Sequence, residues 1–278
     1  MSRKRTAPPG GRDASGAEDD PAGRSLIYGF HATLEALDRG QVAFEKVILA
    51  RGRADARGSR IHRLARERGI PVQFTPPRAL DRLAGGMAHQ GIVGVISARE
   101  YASLEDVLSR GVARGLLVLV DGVQDPRNLG AIIRTAGAAG AGGVVISSRG
   151  SCGLTGVVAK TAAGALESVP VARKPNLASV IPLLKERGFW VIGLDPMGDC
   201  LWTDADFTAP TALVLGGEEG LGVLVRRRCD RIVRLPVRPP VESLNVSVAA
   251  GVALYEVLRQ RGANLDMGVY PGAGREGS

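Results

Sequence analysis

Three segments of this 278-residue chain set polar side chains beside long apolar runs. The first is Asp121-Gly122-Val123-Gln124-Asp125-Pro126-Arg127-Asn128-Leu129-Gly130. It leads into a helix pattern with a single cation, Arg134, followed by Thr135. The second, Leu213-Val214-Leu215-Gly216-Gly217-Glu218-Glu219-Gly220-Leu221-Gly222, breaks an aliphatic run into a glycine-rich loop with two acids. The third runs from Leu235 to Ser247, is stiffened by Pro236, Pro239 and Pro240, and ends Ser243-Leu244-Asn245-Val246-Ser247. Amides, hydroxyls and a guanidinium are groups that orient a polar ligand or steady a developing negative charge. Glycines let a backbone close on a ligand or turn through positive φ. Each feature also has a plain structural reading. Pro126 sets a turn and Asn128 stands where a helix N-cap is expected, while Ser243 and Asn245 precede a helix as caps. Capping needs only one polar side chain, and the third segment offers three.

These segments make sense only if strands deliver them to one edge, because ligands of α/β sheets collect at strand carboxyl ends. The pattern predicts strands at 116–121, 143–147, 168–172, 190–194, 211–216 and 231–235. Helices are expected at 129–139, 154–165, 177–187, 221–228 and 246–260. That alternation implies a parallel sheet covered on both faces. A shorter α/β series precedes it, with strands at 46–49, 72–74 and 92–97 and helices at 32–37, 59–68 and 79–83. The expected organisation is a disordered tail at 1–24, a small domain at 25–98, a linker with one helix at 99–114, the larger domain at 115–263, and a flexible tail at 264–278. The glycines at 137, 140, 142 and 143 follow a helix, so they read as a helix stop rather than a dinucleotide fingerprint.

Charge separates the two domains. The chain carries a formal +8, and eleven Lys/Arg face four acids between Arg39 and Arg82. Five of them, Arg57, Arg60, Arg63, Arg66 and Arg68, lie in or beside the helix expected at 59–68, which points to a polyanion such as nucleic acid. Hydrophobic residues at 45% and charged ones at 23% fit a globular protein. No apolar run is long enough for a membrane span, and the basic N-terminus has no apolar stretch behind it. Cys152, Cys200 and Cys229 form no paired or metal-ligating pattern, so no metal is expected and a reducing, cytoplasmic setting follows.

Taken in order, the three segments resemble the signature motifs of the SpoU (TrmH-type) family of RNA ribose 2′-O-methyltransferases, within the SPOUT class. Ile27-Tyr28-Gly29-Phe30-His31-Ala32 and Met87-Ala88-His89-Gln90-Gly91-Ile92 look like the ends of that family's small RNA-substrate-binding domain. The resemblance is to the type that methylates a guanosine of 23S rRNA. It implies an α/β fold in which that small domain precedes a catalytic domain with a parallel sheet and a deep trefoil knot. It also implies S-adenosylmethionine as methyl donor and a homodimer with active sites near the interface. By motif position Asn128, Arg134, Glu218 or Glu219, Ser243 and Asn245 would be catalytic. Leu215, Gly216, Gly217, Gly222, Leu235, Leu244 and Val246 would hold the donor, largely through backbone, and the five arginines with His89 would meet RNA. The second motif departs from the family's Gly-x-Glu-x-x-Gly. Counting from the strand gives Gly216 and Glu218 with Leu221 last, and counting back from Gly222 gives Gly217 and Glu219.

The implied chemistry needs a 2′-hydroxyl that is ionised, or nearly so, and aligned with an electrophilic methyl. A guanidinium stays protonated in proteins, so Arg134 suits charge stabilisation better than proton abstraction. The rival readings are a tRNA guanosine 2′-O-methyltransferase and a non-enzymatic RNA-binding protein with a silent knot domain.

Overall fold

The computed structural model describes residues 18–19, 25–40, 42–52 and 56–262, which cluster into two compact units. The expected tail at 264–278 and most of that at 1–24 lie outside the described residues. Glu18–Asp19 departs from the disorder expected there, since it forms a short strand, β1, paired antiparallel with Ser25–Tyr28.

The first unit comprises residues up to Glu100 together with Leu154–Val157. After β1 come β2 (Ser25–Tyr28), α1 (Phe30–Arg39), β3 (Phe44–Ala50), α2 (Ala56–Glu67), β4 (Val72–Thr75), α3 (Pro77–Ala84) and β5 (Ile92–Ile96). The sheet order is β1-β2-β5-β3-β4, with only β3 and β4 parallel. The two-residue period of β3 explains its layers. Val47 and Leu49 join Leu37, Ile61 and Ala65 in one cluster, and Ile48 and Ala50 join Leu80, Val93 and Val95 in another. Gly94 has no room for a side chain, because a Cβ there would lie 2.6 Å from the Phe44 ring.

The second unit runs α4 (Leu104–Arg114), β6 (Leu116–Asp121), α5 (Pro126–Ala138), β7 (Val144–Ser147), α6 (Gly156–Ala162), β8 (Val171–Lys174), α7 (Ile181–Glu186), β9 (Trp190–Leu194), β10 (Cys200–Leu201), β11 (Thr211–Gly216), α8 (Val223–Arg228), β12 (Arg231–Arg234) and α9 (Val246–Gln260). Its seven strands are all parallel, in the order β10-β12-β9-β11-β6-β7-β8. Every carboxyl end therefore faces the same edge. Leu116 to Val120 are buried throughout, as a strand covered on both faces requires.

The span 99–114, expected as a linker with one helix, holds α4, whose Val107 and Leu108 pack in one cluster with Leu117 and Leu119. Two expected elements need correction. The strand expected at 168–172 is displaced to Val171–Lys174. Pro170 has no N–H to donate, and its carbonyl accepts from Val144 instead. The helix expected at 154–165 stops at Ala162, where Ala163 and Gly164 turn through φ of 47° and 86°. Among the described residues no helix is long and apolar enough to cross a membrane.

Candidate active site

The N-terminus of α5 differs from its expected form. Asp125 is the N-cap, accepting from the Arg127 N–H at 2.8 Å, and Pro126 takes the first helical position, where its missing N–H does no harm. Asn128 thus sits inside the first turn, freed from capping. Its Oδ1 accepts from Asn245 Nδ2 at 3.0 Å. Asn245 is itself the N-cap of α9, its Oδ1 accepting from the Ser247 N–H at 2.9 Å and the Ser247 hydroxyl at 2.6 Å. One side chain therefore starts a helix with its oxygen and joins the first and third segments with its nitrogen. Gly130 lets α5 approach α6, since a Cβ there would come within 2.6 Å of Thr161 Cβ.

The second segment is a tight turn. Gly217 and Gly220 bridge across Glu218 and Glu219, and the Gly220 N–H donates to the Gly217 carbonyl at 3.0 Å. Gly220 has a φ of 75°, so the glycine the turn requires is Gly220, which neither count of the motif used. Gly216 and Gly217 are needed for space. A Cβ on Gly216 would lie 2.4 Å from the Gly220 carbonyl carbon, and one on Gly217 would lie 2.2 Å from the Gly122 carbonyl oxygen.

Two aspartates that sequence reasoning did not assign hold this turn. Asp121, at the end of β6, accepts from the Gly217 N–H through its backbone oxygen at 2.8 Å and from the Gly222 N–H through Oδ2 at 3.1 Å. Buried Asp195, just past β9, accepts from Leu221 N–H at 3.3 Å and Met197 N–H at 2.8 Å, and pairs with Arg226 at 2.9 Å. An acid at the carboxyl end of an aliphatic strand is the sequence signal that marks both.

The remaining candidates divide by exposure. Glu218, Glu219, Arg134 and Ser243 are exposed, with no hydrogen bond or ion pair among the described residues. Arg134 stands six residues beyond Asn128, about 9 Å along the helix and on a different face. The structure does not bring those two together within the chain. Leu215 is buried, so it can offer a ligand only backbone, whereas Leu235 and Val246 are half-buried and Leu244 is exposed. Cys229 takes no part in nucleophilic chemistry near neutral pH, because burial pushes its thiol up to about 12. Among the described residues no cluster of His, Cys, Asp or Glu could hold a metal ion.

In the first unit Arg57, Arg60, Arg63 and Arg66 are exposed on α2, with the Arg57 guanidinium 5.6 Å from the Phe30 ring centre. Arg68 and His89 are tied into the fold instead. Arg68 donates to the Asp38 carbonyl at 3.1 Å. His89 Nε2 meets Asp81 Oδ1 at 2.8 Å while its Nδ1 accepts from the Gly91 N–H at 3.1 Å, which sets the tautomer with the proton on Nε2.

The carboxyl edge of the second unit suits a partly apolar cofactor with several hydrogen-bond acceptors, such as S-adenosylmethionine. The backbone N–H groups of Glu218, Glu219, Ser243, Leu244 and Asn245 have no partner among the described residues. Leu235, Leu244 and Val246 add apolar side chains in the same segment, and among the described residues no cluster of His, Cys, Asp or Glu could hold a metal ion.

Comparison with known proteins identifies the family. Residues 115–255 match the model of the SpoU rRNA Methylase family, and residues 26–102 match that described as RNA 2′-O ribose methyltransferase substrate binding. A 23S rRNA (guanosine-2′-O-)-methyltransferase, RlmB, of Shewanella oneidensis is 39% identical over 242 residues, covering 86% of this chain and 98% of that protein. An uncharacterized tRNA/rRNA methyltransferase of Mycolicibacterium smegmatis is 41% identical, covering 90% of this chain and 82% of its own. Among solved structures, the SpoU methyltransferase AviRb of Streptomyces viridochromogenes in complex with AdoMet matches with a TM-score of 0.55 at 28% identity. It covers 87% of this chain and 92% of that one.

Proposed function

The chain belongs to the SpoU rRNA methylase family, and from that premise we propose that it methylates the ribose 2′-hydroxyl of a guanosine in 23S rRNA, with S-adenosylmethionine as donor. The observation that carries the reading is the 3.0 Å hydrogen bond from Asn245 to Asn128, which ties the first and third segments together on the edge that also bears the Gly217–Gly220 turn. The rRNA guanosine is favoured over tRNA by the nearly full-length match to RlmB.

When bound, the donor supplies an electrophilic sulfonium methyl. The turn at 217–220 and the unpaired N–H groups of Ser243, Leu244 and Asn245 hold it in this reading, with Leu235 and Val246 against its apolar parts. Asn128 and Asn245 orient the target ribose through amide groups whose rotamers their mutual bond fixes. Ser243 adds a hydroxyl to the same loop. Arg134 lowers the energy of the ionised 2′-hydroxyl by the charge of its guanidinium, so its contribution lies in the transition state. Glu218 and Glu219 are the two central residues of the turn at 217–220.

A homodimer is part of the proposal. Val248, Val252 and Tyr255 are exposed at i, i+4 and i+7 of α9, an apolar ridge beginning three residues after Asn245. Among the described residues Arg134 has no partner, as expected of a group that meets substrate at a subunit interface. The family's trefoil-knotted path belongs to the same reading, supported by the late return of the 235–245 segment to Asn128. A cytoplasmic setting goes with an rRNA substrate.

The test is to map 2′-O-methyl groups in rRNA and tRNA from a strain lacking the protein. One guanosine of 23S rRNA is expected to lose its methyl group and to regain it with the wild-type chain but not with Arg134→Ala. Loss confined to tRNA would move the substrate, and no loss anywhere would remove the enzymatic reading.

A further inference from the structure

The first unit contains a feature that a purely electrostatic RNA-binding surface does not require. A cleft of about 320 Å³ opens among the end of β3, the first turns of α2, the exposed side of β4 and the His89–Gly91 turn. Phe74, His62, Ser59, Gln90 and Leu49 are among its walls. We propose that this cleft receives one unpaired nucleobase of the substrate RNA, stacked on Phe74. The proposal rests on the RNA-methyltransferase reading for the identity of its ligand.

Phe74 is the first reason. The chain has five phenylalanines. Phe30, Phe44, Phe189 and Phe207 are no more than 8% exposed, whereas Phe74 is 47% exposed. It lies on β4, an edge strand. An aromatic face left open on a basic domain is the usual platform for a base, because every base has a π-face to stack and the contact tolerates sequence.

The second reason is the shape of the walls. His62 meets Phe74 edge to face, ring centres 5.5 Å apart at 71°, so the two rings form a corner. A planar group lying on one ring presents its edge to the other. His62 has no hydrogen-bond partner among the described residues, which leaves its ring nitrogens for a base edge. Ser59, one turn earlier on the same helix, adds a hydroxyl.

Gln90 supplies the third. Its φ of 48° is the left-handed region that a side-chain-bearing residue seldom enters. The turn is held there by His89, which bonds both Asp81 and the Gly91 N–H. The Gln90 Oε1 accepts from the Phe30 N–H at 3.4 Å, and its NH₂ has no partner among the described residues. A carboxamide with one end anchored and the other open can read a carbonyl or ring nitrogen of a base. The exposed arginines of α2 lie beside the cleft and suit the flanking phosphates.

Full-length protein, without methyl donor, is titrated against single-stranded oligoadenylate and against a fully paired RNA duplex with the same number of phosphates. Phe74→Leu is expected to weaken single-strand binding by about fivefold to a hundredfold, the worth of one stacked base. Duplex binding and the slope of log affinity against log salt are expected to stay at wild-type values, because no phosphate contact is removed. Phe74→Trp is expected to retain binding, which controls for folding. Unchanged single-strand affinity in Phe74→Leu, or an equal loss on both RNAs, would overturn the pocket. Because the titration uses no donor, its failure is separate from that of the methylation reading, which in vivo methyl mapping decides.

Discussion

Asn245 performs two duties with two different atoms, and they can be separated by substitution. Asn245→Asp keeps an oxygen for the Ser247 N–H, and aspartate caps as well as asparagine, so stability should change by no more than about 0.5 kcal/mol. It removes the Nδ2 donor to Asn128 and faces that oxygen with a carboxylate, so methylation should fall below a tenth of wild type. Asn245→Ala should lose both, with about 1 kcal/mol less stability from the missing cap. Thermal melting beside a methyl-transfer assay checks the pair; a fully active Asn245→Asp would reduce the residue to a cap. The sequence made the third segment's polar surplus plain. It did not tell which residue caps α5, because Asn128 and Asp125 are both good capping types and only the position of Pro126 at the head of the helix decides between them. The roles of Asp121 and Asp195 were hidden for another reason: each acts on a backbone N–H far away in the chain.

Among the elements, α2 was the most legible, because Ile61 and Ala65 fall on one face and the arginines elsewhere. Changing Arg60, Arg63 and Arg66 together to Gln should weaken RNA binding and reduce the salt slope by up to about three, since each neutralised phosphate contributes close to one. Donor binding should be unaffected. An identical slope would mean that this face is merely solvated. Arg68 is omitted because its guanidinium is committed to the Asp38 carbonyl, a contact between residues thirty apart that helical periodicity does not contain. Strand ends were less legible than helix faces. Pro170 sits inside the aliphatic stretch that suggested a strand at 168–172, and the missing N–H moves the ladder to Val171. The turn at 217–220 was visible as glycine-rich, but its closing residue depends on which glycine adopts positive φ.

For the molecule as a whole, the two-unit plan followed from the alternation of helix and strand patterns and from the charge confined to the front of the chain. The order of the seven strands did not, because parallel strands of similar composition exchange places without altering the pattern. The apolar ridge on α9 supports the proposed dimer and can be tested there. Ala250, Ala253, Leu254 and Val257 fill the buried face of the helix, so Val248→Asp with Val252→Asp alters only the outer one. That variant should sediment at half the wild-type mass and lose methylation; an unchanged mass would place any interface elsewhere. The Asn128–Asn245 bond also bears on synthesis. Its partners lie 117 residues apart in sequence. At about 5–20 residues per second, Asn245 is translated roughly 6–25 s after Asn128. A nascent chain therefore carries all five strands of its first sheet, the last ending at Ile96, well before Asn245 exists to tie the third segment to the first.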